Sequence, residues 1–228
     1  MRTTWLGAGF SGLVDLLMPL RCAGCDDVGT AWCRGCSREL GGLRHVERPL
    51  LEPGPPVYAL GRYRGAARRA VLAYKESGRR YLAEPLAGHL AVGLRAITAE
   101  HQLDDDWWLV PAPSRAIASR RRGGAHMSRI AHRMAAALTA SGCRTAVADC
   151  LITARRAADS AGLDAAERVR NLSGRVLVQT GRLPPPAAQV ALLDDVITTA
   201  ATVASALAAL ETANVRVAAV LSLTATAN

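Results

Sequence analysis

Four apolar runs most constrain how this chain folds. WWLVPAP (107–113), RVLVQ (175–179), QVALLDD (189–195) and VRVAAVLSL (215–223) read as short strands, and helical patterns cover 82–99, 124–141 and 201–213. Strands that alternate with helices need right-handed crossovers, which build a mostly parallel sheet flanked by helices, an α/β fold. A length of 228 residues suits one such domain with a small appendage. Half of the residues are hydrophobic but only 4% are aromatic, so alanine-rich helices must pack closely on the strands, and the chain is globular, not disordered. Ligands of such sheets bind at the carboxyl ends of the strands, so the residues that follow each run become the candidates for function.

The run QVALL ends in Asp194 and Asp195 and continues as VITTAAT into the helix beginning near Ala201. A helix N-terminus offers unpaired N–H groups and a partial positive charge. Hydroxyls of Thr198, Thr199 and Thr202 add donors, so the turn can hold a phosphate without a lysine. Two carboxylates beside it can accept hydrogen bonds from vicinal sugar hydroxyls and help to organise Mg²⁺. The same residues also suit a strand end with an acidic turn and a threonine cap. With no obvious compensating lysine beside them, the two acids are expected at an exposed strand end, where their repulsion is tolerable.

Six cysteines in a chain expected to be cytoplasmic point to a metal before disulfides. Four of them form CAGCDDVGTAWCRGC, with Cys22 and Cys25 in one C-x-x-C pair and Cys33 and Cys36 in another. Each pair turns two thiolates toward one point, and two facing pairs complete a tetrahedral, structural Zn²⁺ site. A redox C-x-x-C or buried free thiols are the alternative. Cys143 and Cys150 lack such spacing and read as core residues.

The N-terminal WLGAGFSGLVDLLMPL is interrupted by Asp15 and too short to span a bilayer, and Leu13, Leu16, Leu17 and Leu20 at helical spacing suggest an amphipathic helix on the body. No membrane span is expected. ERPLLEPGPPVY reads as a linker. The expected division is residues 1–46 for the helix and zinc module, 47–57 for the linker and 58–228 for the main domain. A balance of 28 Lys+Arg against 19 Asp+Glu, a net +9, favours a polyanionic or phosphorylated partner. The run Arg120, Arg121, Arg122 suits either such a partner or a solvated loop. His126 and His132, six apart, do not share a helix face well and read as a loop-end and a helix-surface histidine.

LLDDVITTAAT resembles the 5-phosphoribosyl-1-pyrophosphate (PRPP) motif of type I phosphoribosyltransferases. The four-cysteine segment, then VLAYKESGRR (71–80), LVPAPSRAIASRRRGG (109–124), RRAADSAGLDAAERVRNL (155–172) and the motif itself, in that order, make nearly the whole chain similar to the ComF family of competence-associated, phosphoribosyltransferase-like proteins. The resemblance implies a type I phosphoribosyltransferase-like sheet with an N-terminal zinc module. It implies Asp194 and Asp195 on the ribose, and Thr198, Thr199, Ala200, Ala201 and Thr202 around the 5-phosphate. Pro111 to Arg115, with Pro113, Ser114 and Arg115 foremost, would receive pyrophosphate near Arg122. Lys75 matches a recurrent lysine that faces an anion, and Arg168 and Asn171 match a paired Arg and Asn.

Three positions depart from the family pattern. Ala200 replaces a glycine of the phosphate loop, where a methyl crowds the phosphate or strains the backbone if the position needs a positive φ. RGGA (122–125) stands for R-G-F-N, and Ser160 stands for a glutamine. The implied activity is transfer of phosphoribose from Mg²⁺-bound PRPP to an unknown acceptor, a pentosyl transfer. The alternatives are a nucleic-acid-binding accessory of DNA uptake, with single-stranded DNA and the uptake machinery as partners, and a PRPP sensor without transferase activity.

Overall fold

The computed structural model describes residues 20–113, 126–153 and 176–227. A six-stranded sheet forms the centre: β1 (Arg44–His45), β2 (Val57–Arg62), β3 (Asp106–Pro111), β4 (Arg144–Val147), β7 (Val190–Ile197) and β8 (Val217–Ala225), in the spatial order β1-β2-β8-β7-β3-β4. Only β1 runs antiparallel to its neighbour. Among the described residues, four helices pack on this sheet: α1 (Gly65–Lys75), α2 (Ala83–Glu100), α3 (His126–Ala140) and α4 (Ala201–Thr212). The expected strand at 175–179 does form, as β6 (Val176–Val178). It pairs antiparallel with β5 (Leu151–Thr153) in a separate two-stranded ribbon and does not join the main sheet.

Residue spacing decides which faces are buried. In α2 the buried set includes Leu86, Leu90, Leu94 and Ile97, and in α3 Met127, Ile130, Met134 and Leu138, each recurring at three or four residues and so forming one stripe per helix. These stripes lie with α1 on one face of the sheet, and α4 covers the other with Val203, Ala206 and Leu210. Strand β7 is covered on both faces, which explains its near-continuous apolar sequence. Among the described residues no helix is long and apolar enough to cross a membrane.

The cysteine segment shares the larger core. Cys22, Trp32, Cys36 and Leu40 belong to the same buried cluster as α1, α2 and Leu60 of β2. Polar contacts add to the docking. The Trp32 indole N–H donates to His89 Nε2 of α2 at 3.2 Å, which requires that nitrogen to be unprotonated, and burial holds the His89 pKa down. Glu39 accepts the Ala67 N–H at 3.0 Å, so a carboxylate from the cysteine segment caps the first turn of α1, where the residue before the helix supplies no side-chain cap. Gly65, at φ +54, leaves room for that carboxylate: a Cβ there would lie 2.7 Å from the nearer Glu39 oxygen.

Gly24, inside the first C-x-x-C turn, is needed for close approach. A Cβ at this position would lie 2.5 Å from Cys36 Sγ and 2.8 Å from Ala66 Cβ of α1. Neither neighbour sits at the end of a flexible side chain, so the knuckle or the helix must shift. Gly24→Ala is therefore expected to destabilise the protein by about 1–3 kcal/mol, lowering the urea midpoint of the whole cooperative transition. An unchanged midpoint would show that the knuckle does not pack on α1 this tightly.

Candidate functional site

The strand order reverses direction between β3 and β7. From β2 to β3 to β4 the chain moves one way across the sheet, with its helices on one face; from β7 through α4 to β8 it moves the other way, with its helix on the opposite face. Such a reversal opens a crevice at the carboxyl ends of the two strands. Register shows where it begins. Pairing of β3 with β7 ends at Pro111↔Leu193, followed by the Ala112 N–H to Leu193 O bond of 2.7 Å. Pairing of β7 with β8 continues to Ile197↔Ala225. Among the described residues, β7 has a strand on one edge only from Asp194 onward.

Asp194 and Asp195 therefore lie within the last half of the strand and not on an exposed end. They are 8% and 5% exposed. The expectation of repulsion relieved by solvent is corrected by the partners that the fold supplies. Lys75 Nζ, from the C-terminal residue of α1, lies 2.8 Å from Asp195 Oδ2 and 3.1 Å from Oδ1. His126 Nε2, at the start of α3, lies 2.6 Å from Oδ2. Burial alone would raise the Asp195 pKa, but the His126 and Lys75 contacts outweigh it and hold the carboxyl below its ordinary value. Among the described residues Asp194 has no such pair of side-chain partners. Burial first, and the Asp195 charge second, push it up to about 7, although its Oδ1 accepts the Asp195 N–H at 2.8 Å.

His126 is thus a buried partner of the acid pair, 16% exposed at its side chain, with its carbonyl accepting the Tyr74 hydroxyl at 2.8 Å. Its reading as a loop-end residue missed a contact across 69 positions of sequence. His132 does lie on the helix surface, 3.0 Å from Asp149. One sequence signal pointed to Lys75: it is the single lysine of the chain among 28 Lys+Arg. A compact ammonium can approach one buried carboxylate where a planar guanidinium needs more room.

After Ile197 the chain turns through exposed Thr198 and Thr199 to Ala200, which takes φ 63, ψ 7, the left-handed conformation. Alanine there costs on the order of 1 kcal/mol relative to glycine. α4 begins at the next residue with no side-chain cap, so its first N–H groups have no acceptor among the described residues, and Ala201 and Thr202 lie exposed beside them. Pro113 lies half-buried just past the end of β3. Ser114, Arg115, Arg120, Arg121, Arg122, Arg168 and Asn171 lie outside the described residues.

In the segment Cys22–Cys36, before β2, the four cysteines close into a second centre. Their sulfurs all lie within 4.8 Å of one another, with Cys25 and Cys33 3.6 Å apart. A tetrahedral ion with S ligands at about 2.3 Å places its sulfurs about 3.8 Å apart, so the cluster fits zinc with little adjustment. Backbone N–H groups of Gly24 and Cys33 point at Cys22 Sγ at 3.4 and 3.3 Å. Burial raises the Cys22 pKa, but these donors and the Cys25 N–H overcome it and bring the thiol down to about 6, while Cys25 is pushed up to about 11. One thiolate is thus favoured before any metal arrives, and a cation would draw the others into line. About one zinc per chain is expected. Cys22→Ser should lower that content and the stability of the shared core together, and full zinc retention by metal analysis would remove Cys22 from the ligand set.

The two carboxyls make opposite contributions to stability. Asp195, held below its ordinary pKa of 3.8, stabilises the fold above that value, and the contribution is lost as pH falls through the folded pKa. Asp194, pushed from 3.8 up to about 7, favours the fold in acid and loses that advantage as pH rises toward 7. Asp194→Asn keeps an acceptor for the Asp195 N–H and cannot ionise. Its stability gain over the parent is expected to grow between pH 5 and pH 8 by on the order of 1–3 kcal/mol, read from urea melts without Mg²⁺. A gain independent of pH would contradict a proton held on Asp194.

No family model and no curated protein matches the chain. Among solved structures, adenine phosphoribosyltransferase from Saccharomyces cerevisiae, complexed with D-2,5-dideoxy-2,5-imino-altritol 1,6-bisphosphate and adenine, is similar at 16% identity and a TM-score of 0.38, over 84% of this chain and 90% of that one. A second adenine phosphoribosyltransferase structure shares 16% identity with a TM-score of 0.36, over 82% of this chain and 89% of that one.

Proposed function

We propose that the crevice between β3 and β7 binds PRPP with Mg²⁺, and that the protein is a phosphoribosyltransferase-like member of the ComF family acting on an acceptor of unknown identity. The observation that carries this reading is the buried acid pair at the switch point, followed directly by a left-handed residue and an uncapped helix N-terminus. Carboxylates that accept from ribose hydroxyls and a run of N–H donors for a 5-phosphate then lie on one continuous segment, 194–202. Pro113, Ser114, Arg115 and Arg122 are assigned to the pyrophosphate.

The donor set also bears on Mg²⁺. Asp195 is already neutralised by Lys75 and Asp194 ionises reluctantly, so these residues fit an ion held chiefly through the ligand's pyrophosphate oxygens. Mg²⁺ so bound would offset the charge of the leaving group. The chain's own residues position the ribose and 5-phosphate while a nitrogen nucleophile forms its bond to the anomeric carbon and the bond to the pyrophosphate oxygen breaks, its electron pair leaving with pyrophosphate. Ala200 already holds the left-handed conformation, so the alanine leaves the loop's N–H groups available for binding. Pyrophosphate release with a panel of acceptors separates transfer from sensing. Salt-sensitive binding of single-stranded DNA would instead favour the reading drawn from the net charge of +9.

Mg²⁺–PRPP at about 100 times its Kd should raise the parent's thermal midpoint by several degrees, because it binds only the folded state. The Asp194→Asn, Asp195→Asn double variant should lose that rise while remaining folded by circular dichroism. Persistence of the rise in the double variant would remove the acid pair from the ligand site.

A further inference from the structure

Arg48 lies in the proline-rich stretch before β2, yet its guanidinium reaches the far ends of two other strands. Nε donates to Thr198 O at 3.0 Å, one terminal nitrogen donates to Thr226 O at 2.7 Å, and the other donates to Glu47 O at 2.9 Å. Beside it the Thr226 N–H donates to Ile197 O at 3.0 Å. The carbonyls of Ile197 and Thr198 are therefore both satisfied from the side of β8. In a regular strand, successive carbonyls alternate sides, and a trans peptide points its N–H opposite to its C=O. Two successive carbonyls turned the same way send the N–H groups of Thr198 and Thr199 together toward the β3 edge of β7. Neither N–H has an acceptor among the described residues.

We infer that Arg48 is a positioning residue for the anion-binding loop: by pinning the Thr198 carbonyl to the end of β8 it aims successive backbone N–H groups into the crevice, where the 5-phosphate of a phosphoribosyl ligand would sit. The inference rests on the PRPP reading above and adds to it the group that orients the loop. Arg48 acts through the backbone: each of its three nitrogens donates to a carbonyl, and one also to Thr226 Oγ1 at 3.4 Å. Its work depends on reaching three carbonyls at once from a planar fork, which a lysine ammonium at the end of a flexible stem cannot reproduce.

The test is calorimetric titration of the full chain with two probes, ribose 5-phosphate and Mg²⁺–pyrophosphate, in the parent, Arg48→Ala and Arg48→Lys. Both variants are expected to bind ribose 5-phosphate about tenfold more weakly, since misdirected N–H groups lose hydrogen bonds to a charged acceptor. Both should bind Mg²⁺–pyrophosphate within about twofold of the parent, because that ligand is assigned to other loops. Full rescue by Arg48→Lys would show that charge alone matters and would overturn the positioning role. Unchanged ribose 5-phosphate affinity in Arg48→Ala, or equal weakening of both probes, would overturn it as well. A parent that binds neither probe would defeat the phosphoribosyl reading itself, and the role of Arg48 with it.

Discussion

A carboxylate buried as deeply as Asp195 needs polar partners, and they come from two helices far apart in sequence: the Lys75 ammonium and the His126 imidazole. Lys75 ends α1, His126 begins α3, and Asp195 lies on the strand between the two crossover directions, so one side chain ties three elements together at the switch point. Removing Lys75 leaves the buried Asp195 carboxylate with His126 as its one remaining side-chain partner among the described residues. The neighbouring acid has a different character: burial first and the Asp195 charge second push Asp194 up to about 7. Two adjacent acids thus differ in charge and in what they offer a ligand.

α1 joins this site to the cysteine cluster. Near its start, Ala66 packs at Gly24 and Arg69 donates to the Gly24 carbonyl; at its end, Lys75 meets Asp195. The ten-residue rise between Gly65 and Lys75 spans about 15 Å of rigid helix. A metal held by Cys22, Cys25, Cys33 and Cys36 would therefore fix the segment that caps and seats α1, and the position of Lys75 would depend on it. Binding of a structural ion adds directly to folding stability where the site does not exist in the unfolded chain.

Much of the scaffold was legible because apolar pattern and burial coincide there. The runs 107–113, 189–195 and 215–223 became Asp106–Pro111, Val190–Ile197 and Val217–Ala225, and the helical patterns became Ala83–Glu100, His126–Ala140 and Ala201–Thr212. β2 and α1 were not singled out. VYALGR is short and ends in charge, and GAARRAVLAYK buries mostly alanines, so neither shows a strong apolar period. The placement of β6 in a separate ribbon depends on which strand it pairs with, which its own composition does not encode. The acid pair stood out locally, but its burial did not, because the compensating groups are 120 and 69 residues away. Arg48 was hidden for the same reason: a proline-rich context suggests a connection, and its use is visible only once Thr198 and Thr226 are brought beside it.

A crystal structure of the full chain with PRPP and Mg²⁺ tests the account most directly. The account expects the 5-phosphate within hydrogen-bond distance of backbone N–H groups in residues 198–202, and a ribose hydroxyl on Asp194 or Asp195. PRPP seated elsewhere on the protein, with the crevice between β3 and β7 empty and Asp195 still closed off by Lys75 and His126, would contradict it.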